Sequence, residues 1–139
     1  MERTLGIIKP DAVAAGNMGG ILSAIEGAGL TVIAMRMEHL SKHQAEGFYA
    51  VHRGRPFYDG LTDFMSSGRC VAMVLEGENA IARWRGLMGP TDSTKAPKDS
   101  LRGRFGTTLS FNAVHGSDAP DTAATEISFF FPGISLTLR

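Results

Sequence analysis

The sequence predicts an α+β fold, an α/β sandwich on a mainly antiparallel four-stranded sheet with added helices. Three observations carry that expectation. Apolar residues switch repeatedly between strand-like and helix-like spacing along the 139-residue chain. The resulting order, strand, helix, strand, helices, strand, helix, loop, short strand, helix, contains a βαββαβ core. The 43% apolar and 20% charged residues supply one core, with no linker or repeat to divide residues 1–139 into more than one domain. Together these describe the ferredoxin-like split βαβ arrangement. That architecture hosts RNA binders, regulatory domains and enzymes alike, so it decides no function.

The elements follow in chain order. TLGIIKP is short, β-prone and ended by proline, giving a strand from Arg3 to Lys9. Gly19-Gly20 opens a helix whose Ile21, Leu22 and Ile25 share a face and which stops near Gly27 or Gly29. Leu30–Leu40 is a long strand with apolar even positions from Leu30 to Ala34. Arg36, Glu38 and Leu40 continue that parity. Ser41 and Gln44 form a capping-box pattern ahead of a helix over Lys42–Val51, which HRGRPFYDG interrupts. A short helix over Phe57–Ser66 and a buried strand over Arg69–Leu75 come next. Ile81, Trp84 and Met88 recur at helical spacing before Gly89-Pro90 stops the helix. Residues 89–101 lack apolar periodicity and form a loop of a length that is usually functional. A short strand at 112–116 precedes a helix over Pro120–Phe131, which buries Ala123, Ile127 and Phe130 and is closed by Pro132-Gly133.

Composition narrows the function classes. A net charge of zero argues against a nucleic-acid coat and a polybasic membrane anchor, while leaving room for a small basic pocket. The single cysteine, Cys70, heads the apolar run CVAMVL; it excludes an intrachain disulfide and fits a buried small hydrophobe in a reducing compartment. There is no signal-peptide pattern and no run approaching ~18 apolar residues, so a cytoplasmic location is expected. No carboxylate cluster or cysteine set offers a metal cage. No Walker or kinase-type glycine-rich loop is present, and Gly16–Gly20 reads as a turn.

Chemistry concentrates in NAVHGSD, residues 112–118. Of the four histidines, His39, His43, His52 and His115, the first two adjoin a turn and a cap and read as solvated surface residues. His115 lies at a strand end, with Gly116 removing bulk and Ser117-Asp118 supplying polar partners. An imidazole held through one nitrogen is a competent nucleophile at the other; a capped structural histidine is the alternative. The stretch N-A-V-H-G-S-D-A resembles the active-site signature of the nucleoside diphosphate kinases. T-L-G-I-I-K-P-D-A is similar to that family's first strand, Y-A-V-H-R-G-R-P-F-Y to its nucleotide-binding hairpin, and V-L-E-G-E-N-A-I to its third strand and following helix. F-F-F-P-G-I is similar to its short-tailed bacterial branch. The likeness spans nearly the whole chain in order.

The resemblance implies γ-phosphoryl transfer from a nucleoside triphosphate such as ATP to His115, then to a nucleoside diphosphate. It places Lys9 on the transferring phosphate and ribose, and Arg85, Thr91 and Arg102 on phosphate oxygens, with Arg55 and His52 as further phosphate-side candidates. Phe57 would stack on the base with Leu61 and Leu109 lining the other side, and Asn112 would hold the ribose 3′-hydroxyl. Tyr49 and Glu126 would flank His115, Glu126 through a hydrogen bond shared with Ser117; in the family Nδ1 carries the phosphate. Mg²⁺ would arrive with the nucleotide, Asp118 serving as an outer-shell partner at most. The implied assembly is a homo-oligomer, a tetramer or hexamer built from dimers, with neither membrane nor obligatory nucleic acid as partner.

Departures cluster in the long loop. The family's bacterial members usually read G-A-T-N-P where this chain has G-P-T-D-S, so Pro90, Asp92 and Ser93 differ, and a usual glycine is replaced around Lys98-Asp99-Ser100. The loop helps subunits meet in the family, so these changes bear on assembly more than on chemistry. Two rival readings stand beside the kinase: a catalytically inactive ferredoxin-like regulator that binds nucleotides or RNA, and a phosphocarrier serving another protein's side chain.

Overall fold

The structure, a computed structural model, describes residues 1–132. Four strands, β1 (Glu2–Ile8), β2 (Thr31–Glu38), β3 (Cys70–Gly77) and β4 (Val114–Gly116), form one sheet in the order β2-β3-β1-β4. All three pairings are antiparallel, as in the expected ferredoxin-like arrangement. The central strands β1 and β3 are covered on both faces, which is why CVAMVL is apolar without alternation. Val71, Met73 and Leu75 point to one core, with Ile21 and Ile25 of α2 (Met18–Gly27) and Trp84 and Met88 of α5 (Ala80–Met88). Cys70, Ala72 and Val74 point to the other. They meet Ala45 of α3 (Lys42–Phe48), Met65 of α4 (Tyr58–Met65) and Ile127 and Phe130 of α7 (Pro120–Phe130). Cys70 is fully buried, and desolvation pushes its thiol up to about 11, as fits a core residue.

Several boundaries differ from expectation, each for a local reason. Pro10 does not merely end β1; it starts α1 (Pro10–Ala14), where its fixed φ suits the first helical position and its missing N–H is no loss. Gly16 does turn the chain, at φ +77°, but Gly19 and Gly20 lie inside α2. The parity expected along β2 fails because a β-bulge lies between Val32 and Ala34. The extra residue moves Ala34, Arg36 and Glu38 to the face of Val74, Ala72 and Cys70, opposite that of Val32, while Met35, Arg36 and Met37 are all exposed. Helix α3 has the capping box, with Gln44 N–H donating to Ser41 Oγ at 3.0 Å and Ser41 N–H to Gln44 Oε1 at 2.8 Å. It stops at Phe48, short of Val51, and a 3₁₀ turn over Ala50–His52 follows.

The loop at 89–101 is more ordered than its composition predicts. Asp92 caps a 3₁₀ turn over Ser93–Lys95, accepting the Thr94 N–H at 3.0 Å. Ser100 then caps α6 (Leu101–Phe105) by accepting the Gly103 N–H at 3.1 Å. At the other end of the chain α7 stops at Phe130; Gly133, the second half of its expected stop, lies outside the described residues.

Ser93, at the first position of its 3₁₀ turn, is 7% exposed, and its Oγ has no hydrogen-bond partner among the described residues. Proline suits that position, so Ser93→Pro should stabilise by about 0.4–1 kcal/mol through a less disordered unfolded chain, leaving turnover unchanged. Thermal melts at two protein concentrations test this, and a lower midpoint for the mutant contradicts it.

Candidate active site

The helical hairpin α3–α4, the end of α5, the 89–101 loop and the segment before β4 enclose a cleft of about 870 Å³ beside the end of β1. Lys9, Tyr49, His52, Phe57, Leu61, Arg85, Thr91, Arg102, Leu109, Asn112, His115 and Asp118 all line it. Ser117 and Glu126 stand behind His115. Arg55 alone of the expected residues neither lines the cleft nor joins this network; it sits in the turn after Gly54, where its N–H closes on His52 O at 3.0 Å.

His115 belongs to β4, paired with Ile7 of β1, and its side chain is 18% exposed. Its Nε2 lies 2.7 Å from Glu126 Oε1, the same oxygen that accepts the Ser117 hydroxyl at 3.0 Å. An ionised carboxylate only accepts, so the ring hydrogen is drawn to Nε2 and Nδ1 keeps its lone pair. The Trp84 indole N–H fixes the strand from the other side by donating to His115 O at 3.1 Å. Phe48 and Tyr49 meet the imidazole edge-on, with centroids at 5.5 and 6.1 Å. Tyr49 is buried with its hydroxyl unpartnered among the described residues, and burial pushes its phenol well above the usual range. It is a neutral donor without an acceptor, beside a candidate nucleophile.

The cations are held in place before any ligand arrives. Lys9, just past β1, is 6% exposed and donates through Nζ to Asn112 Oδ1 at 2.8 Å, while Asn112 Nδ2 donates to Thr91 O at 3.0 Å. Burial, and then Arg102, bring the Lys9 ammonium down to about 8, against a smaller opposing pull from Asp11. Arg102 reaches Gly89 O and Val114 O, each at 2.9 Å, strapping the end of α5 to β4; burial and then Arg85 lower it to about 10. Arg85 pairs with Asp118 across the mouth of the cleft. Three cations crowded around one cavity destabilise each other, and that is the field a polyphosphate neutralises.

The far end of the cleft is apolar. Gly54, at φ +88°, turns the chain into Arg55-Pro56-Phe57, which leaves the Phe57 ring 49% exposed at the start of α4. The hairpin is tied by Tyr58 OH on Glu46 O and by Lys42 Nζ on Thr62 and Asp63. Opposite, Thr107 N–H closes on Phe111 O at 2.8 Å, making a tight loop that presents Leu109 and Phe111 at 58% and 47% exposure. Phe64 and Phe111, 4.9 Å apart, were not expected at this site. Nothing in their local spacing separates a cleft aromatic from a core one.

Residues 2–135 match the family described as nucleoside diphosphate kinase. A nucleoside diphosphate kinase of Syntrophotalea carbinolica is 59% identical over 136 residues, spanning 98% of this chain and 99% of that one. One from Burkholderia multivorans is 57% identical over all of this chain and 99% of its own. The Aquifex aeolicus enzyme superposes with a TM-score of 0.94 at 47% identity, over 96% of this chain and 97% of that one. A Halobacterium salinarum nucleoside diphosphate kinase in complex with CDP gives 0.92 at 38% identity, over 96% and 90%.

Proposed function

The chain belongs to the nucleoside diphosphate kinase family and exchanges the terminal phosphoryl between nucleoside tri- and diphosphates; we propose that it does so in two half-reactions through His115, as a single domain over 1–139. The observation that carries this is the Glu126–His115 contact at Nε2, which leaves Nδ1 as the nucleophilic nitrogen at the cleft. In the first half-reaction Nδ1 attacks the γ-phosphorus, the bond to the β-bridging oxygen breaks, and the nucleoside diphosphate leaves. The second reverses this with another diphosphate. Glu126 and Ser117 hold the ring and stabilise its positive charge once Nδ1 is bonded to phosphorus. Lys9, Arg85, Arg102 and Thr91 receive the phosphate oxygens, Tyr49 supplies a hydroxyl near the transferring group, and Asn112 takes the ribose. His52 borders that side, and Asp118 releases Arg85 as phosphate arrives. Phe57, with Leu61 and Leu109 opposite, contacts the base by stacking, which tolerates any base because each has a π-face.

Among the described residues no group of three or more His, Cys, Asp or Glu forms a metal cage. A lone exposed carboxylate at the cleft, Asp118, fits Mg²⁺ held mainly by phosphates and water. When bound, that ion neutralises charge on the phosphate oxygens. The assembly belongs to the same proposal: a homo-oligomer of dimers, tetrameric or hexameric. The edge strand β2, with Met35 and Met37 about half exposed, supports a contact there. No helix among the described residues is long and apolar enough to cross a membrane, and residence in the cytoplasm is part of the same reading.

The test is direct. The chain is incubated with γ-labelled ATP and Mg²⁺, stripped of nucleotide, and given GDP. Labelled protein followed by labelled GTP is expected. Label that never reaches GTP indicates a phosphocarrier, and no label at all an inactive binder.

The pH dependence follows from Lys9. Its ammonium in the empty cleft is charged below about 8 and neutral above. Because kcat/KM reports the free enzyme, it should decline as pH rises past about 8. Bound polyphosphate holds the proton on Lys9, so kcat should persist to higher pH. Profiles between pH 6 and 10 check this, and a kcat/KM flat to pH 10 removes Lys9 from the phosphate site.

A further inference from the structure

Between Asn112 and His115 the backbone does something unusual. Ala113 is fully buried with φ +71°, and Val114 N–H donates to Asn112 O at 2.8 Å. This is a three-residue γ-turn of the rarer, strained hand. A side chain at positive φ is disfavoured, and such strain persists only where surrounding contacts impose it. The contacts come from one tripeptide a hundred residues earlier. Ala113 N–H donates to Asp11 Oδ2 at 3.1 Å, and Ala113 O accepts from Lys9 N–H at 2.8 Å. Lys9 Nζ in turn holds the Asn112 side chain. The turn therefore sets two proposed site residues on either side of it, Asn112 just before and His115 two positions on. Asp11 is the side-chain acceptor that closes it.

We propose that Asp11 is a positioning residue for phosphoryl transfer, holding the Ala113 turn so that Asn112 and His115 stand in register with Lys9. The proposal rests on the assignment of His115 as nucleophile. Asp11 also serves α1, as the acid in its first turn. A purely helical role would touch stability alone, whereas the turn ties Asp11 to catalysis. Burial raises the Asp11 carboxyl, and its Oδ1 finds no partner among the described residues. A partly buried carboxylate with one covered, unpartnered oxygen is a poor choice for stability alone.

The test compares Asp11→Ala, Asp11→Asn and the double variant Asp11→Ala/Ala113→Gly, with kcat normalised to phosphoenzyme formed per chain. Misplacing a reacting group by about 1 Å can cost about 100-fold, so Asp11→Ala should lose kcat on that scale with KM changed far less. Asparagine retains an acceptor for the Ala113 N–H and should restore most of it. Glycine adopts positive φ without strain, so the double variant should recover kcat relative to Asp11→Ala. A folded Asp11→Ala with wild-type kcat overturns the proposal, as does a loss that Ala113→Gly leaves untouched. If Asp11→Ala does not fold, a folded double variant with kcat near that of Asp11→Asn supports it. A double variant that is about 100-fold slower, or that also fails to fold, overturns it. Absence of wild-type phosphoenzyme at His115 sinks the underlying assignment and the proposal with it; phosphoenzyme with an indifferent Asp11 sinks the proposal alone.

Discussion

His115→Ala is expected to lose nucleotide turnover by about six orders of magnitude, the scale on which deleting a covalent nucleophile acts in an enzyme whose residues work as a unit. Phosphoryl transfer asks the protein for little covalent chemistry beyond the attacking atom, and no neighbour here can replace it. Glu126 is committed to Nε2 and to Ser117, Lys9 to Asn112, and Tyr49 is held neutral by burial. The fold should survive. The imidazole is partly exposed, β4 is held through the His115 backbone carbonyl by Trp84, and Glu126 keeps its Ser117 hydrogen bond. Loss of one such contact is worth about 1 kcal/mol. Steady-state exchange from ATP to GDP, covalent labelling and a denaturant melt together decide the matter. The label on the wild type should be acid-labile and base-stable, as a phosphoramidate is. Turnover in the mutant within tenfold of wild type would falsify His115 as nucleophile.

Gly116→Ala should be strongly damaging, because its methyl would be driven into Trp84 and Met88. Gly116 of β4 lies opposite Gly6 of β1, and the two glycines leave a slot into which the fully buried Trp84 descends from α5. A Cβ at Gly116 would stand 2.6 Å from Trp84 Cδ1 and Nε1 and from Met88 Cε. At Gly6 the same addition meets Trp84 and Met73 at 3.2 Å, a milder conflict. The indole is anchored at the bottom of a close-packed core and cannot rotate away, so α5 or β4 must shift. Overpacking of this kind costs about 1–3 kcal/mol, and this site belongs at the upper end. The damage should reach catalysis too, because the displaced group is the donor on His115 O and α5 carries Arg85. The chain's single tryptophan reports its own displacement. Urea unfolding followed by Trp84 fluorescence, with turnover measured on folded protein, gives both readouts. A mutant within 0.5 kcal/mol of wild type and equally active means the slot is roomier than the indole.

How much was legible beforehand depended on how local the cause was. The capping box at Ser41–Gln44, the apolar faces of α2, α5 and α7, and the glycine stop at Gly89 were readable because each is decided within a few residues. Helices α1 and α6 were missed although their starts are also local: Pro10 opens one and Ser100 caps the other. Each is only five residues long, too short to show apolar periodicity, so a proline passed for a strand end and a serine for loop. The bulge in β2 was invisible because its position is set by pairing with β3, and nothing in TVIAMRME marks Ile33 as the extra residue.

The candidate site divides in the same way. NAVHGSD, with the other family-like segments around it, pointed to His115, to a phosphate-binding set of lysine and arginines, and to a base platform at Phe57. Those assignments came from the resemblance, residue by residue, since on spacing alone Lys9 reads as a solvated strand end, Arg85 and Arg102 as surface arginines and Phe57 as a core aromatic. Only the folded chain decided that Glu126 addresses Nε2, that Arg102 straps Gly89 to Val114, and that Phe64 and Phe111 join the cleft. It alone revealed that Asp11 grips a strained turn at Ala113. Asp11 and Ala113 are 102 positions apart, and Lys9 and Asn112 are 103 apart. Contacts at such separations are set by the antiparallel packing of β4 on β1, and the local spacing of residues carries no trace of them.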